Sequence, residues 1–94
     1  MVPDQLVDRT SGRVQTYVET GAVHVPFADP YCGRLLDTFR KRDDLTVGGT
    51  MVVIEGPRFS TRAESQHYAA QGWSLVNMTG HPEAVLAREM RLCY

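Results

Sequence analysis

The run Thr50-Met51-Val52-Val53-Ile54 is of strand length, continuously apolar after Thr50 and polar on neither face. A strand of this kind is stable only when both of its sides are covered, as in a parallel sheet flanked by helices. It ends at Glu55-Gly56-Pro57, because neither glycine nor proline continues a ladder easily. Thr61-Arg62-Ala63-Glu64 then has the spacing of a capping box, which predicts a helix running to about Gln71 and stopped by Gly72. Trp73 to Met78 reads as the next strand and Thr79-Gly80-His81 as a turn. A helix follows from Pro82, at its first position, to about Arg91, and Leu92-Cys93-Tyr94 begins a further apolar segment. Strand, helix, strand, helix, strand is the order of an α/β sheet with crossover connections.

Toward the N-terminus the signals are shorter. Leu45 and Val47 can form a brief strand before Gly48-Gly49. Asp29-Pro30 offers an N-cap and a first-turn proline, and Tyr31, Leu35, Leu36 and Phe39 share one helical face, so a helix is expected from Pro30 to about Arg42. Its last turn, Arg40-Lys41-Arg42, places cations where the helix dipole favours them. Ala22-Val23-His24-Val25 is a short apolar run after a polar excursion from Ser11 to Gly21. Val2 to Val7 reads as a first strand entering the loop Asp8-Arg9-Thr10-Ser11-Gly12.

The composition excludes several classes of function. Hydrophobic residues at 43% and charged residues at 22% are ordinary globular values, unlike those of a disordered tail or a coiled coil. Ten Lys+Arg against eleven Asp+Glu, a net charge of -1, leave no basic face for a nucleic-acid backbone. No apolar run approaches a membrane span, and Met1-Val2-Pro3-Asp4 lacks the pattern of a signal peptide, so the expected location is cytoplasmic. Cys32 and Cys93 have no metal-like spacing and are expected to be small buried hydrophobes in a reducing compartment.

In open α/β sheets ligands gather beyond the carboxyl ends of strands. Two loops answer to that description, Gly56-Pro57-Arg58-Phe59-Ser60 and Asn77-Met78-Thr79-Gly80-His81. Thr79 could donate to an anion beside free amides of Gly80 and His81, or could serve only as a helix cap. Phe59 could stack on a base or pack in the core, and Arg58 could bind an anion or pair with Glu55 or Glu64. His24, His67 and His81 share no ligand spacing, which argues against a metal site, and His67 is expected on a solvated helix face. Glu55, Glu64 and Glu83 each have a local role in a cap or a first turn. No complete catalytic set emerges from the residues alone.

Two longer segments, Val53 to Ser65 (Val-Ile-Glu-Gly-Pro-Arg-Phe-Ser-Thr-Arg-Ala-Glu-Ser) and Val76 to Glu89 (Val-Asn-Met-Thr-Gly-His-Pro-Glu-Ala-Val-Leu-Ala-Arg-Glu), closely resemble the methylthioadenosine phosphorylases of the trimeric purine nucleoside phosphorylase class. Pro3 to Thr10 and His24 to Cys32 resemble the corresponding family segments in the same order, so the resemblance covers nearly the whole chain. It implies a phosphorylase/hydrolase-like mixed sheet with flanking helices, incomplete here, with residues 1–94 forming part of a purine nucleoside phosphorylase domain. The implied reaction is attack of inorganic phosphate on a purine nucleoside, with phosphate a co-substrate and no cofactor. Thr79 matches a phosphate-contacting threonine, Met78 a ribose contact and Phe59 the aromatic against the base. Asn77 lines the base pocket, and Ser60 matches a position favouring adenine over oxopurines. His24 matches a histidine reaching across a subunit boundary toward the 5′ substituent, which implies a homotrimer.

Gly80-His81 stands where many of these phosphorylases carry Thr-Val, a departure that also resembles methylthioinosine phosphorylases. The family's glycine-rich phosphate loop, its Arg-His pair and its Thr-Asp-Tyr-Asp segment have no counterpart in the chain. The resemblance therefore implies a central segment that does not catalyse phosphorolysis alone. The alternatives are a phosphorylase for methylthioinosine or another 6-oxopurine nucleoside, and a non-catalytic binding fragment.

Overall fold

The computed structural model describes every residue from Met1 to Tyr94. Three parallel strands, β1 (Gln5–Arg9), β2 (Thr50–Ile54) and β3 (Trp73–Asn77), lie in the order β1-β2-β3. Helices α1 (Gly33–Arg40) and α2 (Arg62–Ala70) fall in the two crossovers, and α3 (Gly80–Glu89) follows β3. The expected α/β architecture is thus present, and both pairs of neighbouring strands run parallel. No helix is long and apolar enough to cross a membrane.

The apolar run is the centre of the sheet. Val52 pairs with Val7 on one side and Val76 on the other, and Val52 and Val53 are completely buried. Burying one such side chain contributes about 1.5–3 kcal/mol. The outer strands are less covered: Asp8 and Arg9 of β1 are exposed, and β3 alternates half-buried Trp73, Leu75 and Asn77 with exposed Ser74 and Val76. Helix α2 has the expected capping box, with Glu64 N–H donating to Thr61 Oγ1 at 3.1 Å and Thr61 N–H to the Glu64 carboxylate at 2.7 Å. It packs on β3 through Tyr68 and Trp73, whose rings stack 5.8 Å apart, and His67 is exposed as expected.

Several boundaries differ from the sequence reading. Strand β1 begins at Gln5, and Val2 makes only an isolated parallel bridge with Val47, which is all that remains of the strand expected at Leu45–Val47. Helix α1 starts at Gly33 with Cys32 at the cap position, so Asp29 is not its N-cap and Pro30 is not its first residue. Tertiary bonds hold the segment before it in a non-helical path: the Asp29 carbonyl accepts from Arg88 Nη2 at 2.5 Å, and Cys32 N–H donates to the Tyr94 carbonyl at 2.7 Å. Leu92 to Tyr94 forms no strand.

The cysteines need a larger correction. Cys32 and Cys93 form a disulfide with Cα atoms 5.2 Å apart, and they are half-buried and exposed rather than core residues. After α3 the chain turns back so that Tyr94 stacks on Tyr31, ring centroids 6.1 Å apart, and this return brings together two sulfurs separated by 61 residues. Burial pushes the Tyr94 phenol up in pKa, and its hydrogen bond to the Glu83 carboxylate adds to the shift.

Candidate active site at the carboxyl end of the sheet

Both loops singled out in the sequence leave the same end of the parallel sheet, where strand carbonyls and helix starts converge. In the β2–α2 loop Arg58 neither binds Glu55 nor stands free: its guanidinium grips both carboxylate oxygens of Glu64 at 2.9 Å and donates to the Phe59 carbonyl at 3.0 Å. The Arg58 bond, followed by the Thr61 amide, holds the Glu64 carboxyl at about 2, well below the usual carboxylate range. With its backbone fixed on one side by Arg58 and on the other by the cap, Phe59 presents its ring outward, 86% exposed. Within these 94 residues Phe59 packs in no core, and its aromatic face is open to a planar ligand. Ser60 Oγ lies 2.8 Å from Ser65 Oγ in the first turn of α2.

The two loops touch through Met78. Gly56 has φ +67, and a Cβ there would meet Met78 Sδ at 2.7 Å, so glycine permits both the turn and the approach of the methionine. In the β3–α3 loop the Asn77 side-chain oxygen accepts from Thr79 N–H at 2.7 Å and Gly80 N–H at 2.6 Å. The Gly80 amide is therefore not free for an anion, contrary to the expectation above. Thr79 itself makes no side-chain cap bond to α3 and is exposed. Its hydroxyl makes only a long 3.5 Å contact to Asn77 Oδ1 and remains available as an anion donor of this loop, at the positive end of the helix. Asn77 spends its oxygen on this turn, so what it can offer a base is its Nδ2 amide. Gly80 is buried, and a Cβ on it would meet Met51 Cε at 2.6 Å.

Beneath the loops sits a residue that no sequence signal marked. Arg13, in the polar excursion after β1, donates from Nη1 to the carbonyls of Met78 at 2.7 Å and His81 at 2.5 Å. Its Nη2 reaches the Glu55 carbonyl at 2.9 Å with a longer 3.5 Å contact to that of Ile54, and Nε donates to Glu55 Oε1 at 2.8 Å. Glu55 also accepts from Ser11 N–H at 2.6 Å, and the Arg13 bond, then the Ser11 amide, lower its pKa. His81 is buried, with Nε2 3.4 Å from Asp8 Oδ2. Burial works against the charged form of Asp8, but hydrogen bonds from Thr10 and the nearby His81 and Arg13 outweigh it, leaving its pKa below the usual value.

With this geometry in place, comparison with known proteins is specific. The sequence profile of the phosphorylase superfamily matches residues 1–94. The chain belongs to the phosphorylase superfamily. It is 66% identical over its whole length to S-methyl-5'-thioadenosine phosphorylase of Mycobacterium tuberculosis, covering 36% of that protein. It is 56% identical to a purine nucleoside phosphorylase of Streptomyces coelicolor, covering 100% of this chain and 39% of that one. A solved structure of methylthioadenosine phosphorylase from Schistosoma mansoni in complex with adenine superposes with TM-score 0.85 at 36% identity, over 99% of this chain and 42% of that one. The chain thus spans about a third of the length of the phosphorylases it matches by sequence, 36% for the Mycobacterium protein.

Of the residues singled out by resemblance to the phosphorylases, Phe59, Ser60, Asn77, Met78 and Thr79 lie on the two adjoining loops. His24 does not join them. It is exposed on a segment fastened to the far end of α3, where Arg88 Nη1 donates to the Pro26 carbonyl at 3.2 Å. There it lines a cavity of about 510 Å³ with Arg88 and Leu92, the largest in the chain. A smaller cavity of about 230 Å³ opens at the end of β2 between Arg9, Gly56, Arg58 and Tyr68.

Proposed function

We propose that this chain is the central part of a purine nucleoside phosphorylase that converts 5'-methylthioadenosine and phosphate to adenine and 5-methylthioribose 1-phosphate. The observation that carries the reading is the unbroken 66% identity with the Mycobacterium S-methyl-5'-thioadenosine phosphorylase across all 94 residues, both site loops included. In this reading Thr79 Oγ1 donates to phosphate at the start of α3, whose dipole favours the anion. Phosphate approaches the anomeric carbon as the bond to the purine breaks. The sugar then carries oxocarbenium-like positive charge, which the bound anion stabilises. Met78 packs against the ribose, Phe59 against the purine face, Asn77 contributes to the base pocket and Ser60 favours the 6-amino group.

Phosphate is a co-substrate, and no cofactor enters the reaction. Residues 1–94 form part of one phosphorylase domain, and the remaining catalytic groups belong to the rest of the enzyme. His24, apart from the other five, reaches the 5′ substituent bound by a neighbouring subunit of a homotrimer. We assign the enzyme to the cytoplasm, a setting that keeps cysteine pairs reduced, so Cys32 and Cys93 would stand there as adjacent thiols.

A phosphate-dependent adenine-release assay on the full-length protein tests the reading: turnover of methylthioadenosine that does not depend on phosphate would remove it. A second reading, phosphorolysis of 6-oxopurine nucleosides, has support in the Streptomyces relative named purine nucleoside phosphorylase. Ser60 favours the aminopurine, so methylthioadenosine is expected to exceed methylthioinosine in kcat/KM, and the reverse order would favour the second reading.

A further inference from the structure

We infer that Arg13 is the positioning residue of the phosphate-binding loop, acting through the backbone on both sides of Thr79. The inference rests on the reading of Thr79 as a phosphate ligand. A guanidinium has five N–H donors in a fixed plane. Here each faces a protein oxygen: the carbonyls of Met78, His81, Ile54 and Glu55, and one oxygen of the Glu55 carboxylate. Two of these carbonyls bracket Thr79-Gly80, and the other two are those of Ile54, the last residue of β2, and Glu55 just after it. One cation therefore fixes the spacing between the loop that carries Thr79 and the loop that carries Phe59.

The surroundings leave Arg13 little freedom. Its side chain is 20% exposed, Glu55 holds it by a charge-assisted bond, and Glu55 is held in turn by the Ser11 amide. The carbonyls it reaches at Met78 and His81 are partly buried and would lose a charged donor without it. From the opposite side, Asn77 fixes the amides of Thr79 and Gly80. The loop backbone is thus held by its carbonyls from Arg13 and by its amides from Asn77, and the exposed Thr79 hydroxyl, with no more than a long 3.5 Å contact to Asn77 Oδ1, is the side-chain donor that can meet an anion. Lysine, with three donors on a flexible stem, cannot reproduce a five-donor plane.

The experiment is a double-mutant cycle in the full-length enzyme, reading KM for inorganic phosphate and kcat beside the melting temperature. Thr79→Val and Arg13→Lys are each expected to raise the phosphate KM about tenfold, and the double variant no more than about twofold beyond Thr79→Val, because both act on one contact. Multiplicative effects in the double variant overturn the inference, since Arg13 would then act elsewhere. So does an Arg13→Lys enzyme that melts earlier but keeps the wild-type phosphate KM, as a purely structural residue would. If Thr79→Val leaves the phosphate dependence unchanged, the ligand reading of Thr79 fails, and the positioning role falls with it. Should Arg13→Lys not fold, Glu55→Gln decides: loosening the guanidinium is expected to raise the phosphate KM about threefold, and an unchanged KM overturns the inference.

Discussion

Each of the two loops at the carboxyl end of the sheet is held by one arginine, and the two arginines work differently. Arg58, 67% exposed, clasps Glu64 six residues away and braces its own loop and the start of α2. Arg13, 20% exposed, reaches across 41 to 68 residues of sequence to join the ends of two strands through backbone carbonyls. Water can replace most of what Arg58 supplies, since an exposed ion pair adds little to stability. It cannot as readily replace Arg13, whose loss deprives partly buried carbonyls of a charged donor. The exposed clasp therefore shapes one loop locally, whereas the shielded one sets the relation between the loops.

The contrast can be broken by measurement on the full-length protein. Arg13→Met is expected to lower stability by about 3 kcal/mol in urea unfolding, through loss of the charged donor to several partly buried carbonyls. Asn77→Ala, which removes the acceptor of two loop amides, should cost about 1–2 kcal/mol by the same measurement and also raise the phosphate KM. Arg58→Ala should leave the urea midpoint within error of wild type, and a loss equal to that of Arg13→Met would abolish the distinction. Smallest is a pH effect. The Glu64 carboxyl, lowered to about 2 when folded, adds stability above its unfolded value, and this is lost as pH falls from about 4.5 through about 2. Glu64→Gln should therefore melt slightly earlier than wild type near neutrality, and the gap should close by about pH 2.

What the sequence made legible was local. The apolar run of β2, the Thr61–Glu64 capping box, the stop at Gly72 and the loop carrying Phe59 follow from spacing and turn chemistry within a few residues. The start of α1 was misjudged because Asp29 and Cys32 are held by Arg88 and Tyr94, some 60 residues away, and those contacts outweigh cap preference. The disulfide and Arg13 were invisible for the same reason. An arginine in a polar excursion looks like a solvated charge until the strand ends that it joins are known. Thr79 was legible as a candidate, but the engagement of the Gly80 amide by Asn77 needed the folded turn.

The Cys32–Cys93 bond closes a covalent ring around five of the six residues assigned to substrate: Phe59, Ser60, Asn77, Met78 and Thr79. Arg13 and His24 lie outside that ring, on the N-terminal side of Cys32. A protease that cuts once within the ring of the oxidised protein would leave both halves joined, whereas one cut between Arg13 and Cys32 would free the part that carries Arg13. The two kinds of nick should thus have opposite appearances on a non-reducing gel, one silent and one releasing a fragment. In the oxidised protein the bond secures the ring bearing the ligand contacts, while Arg13, which sets their spacing, lies outside it.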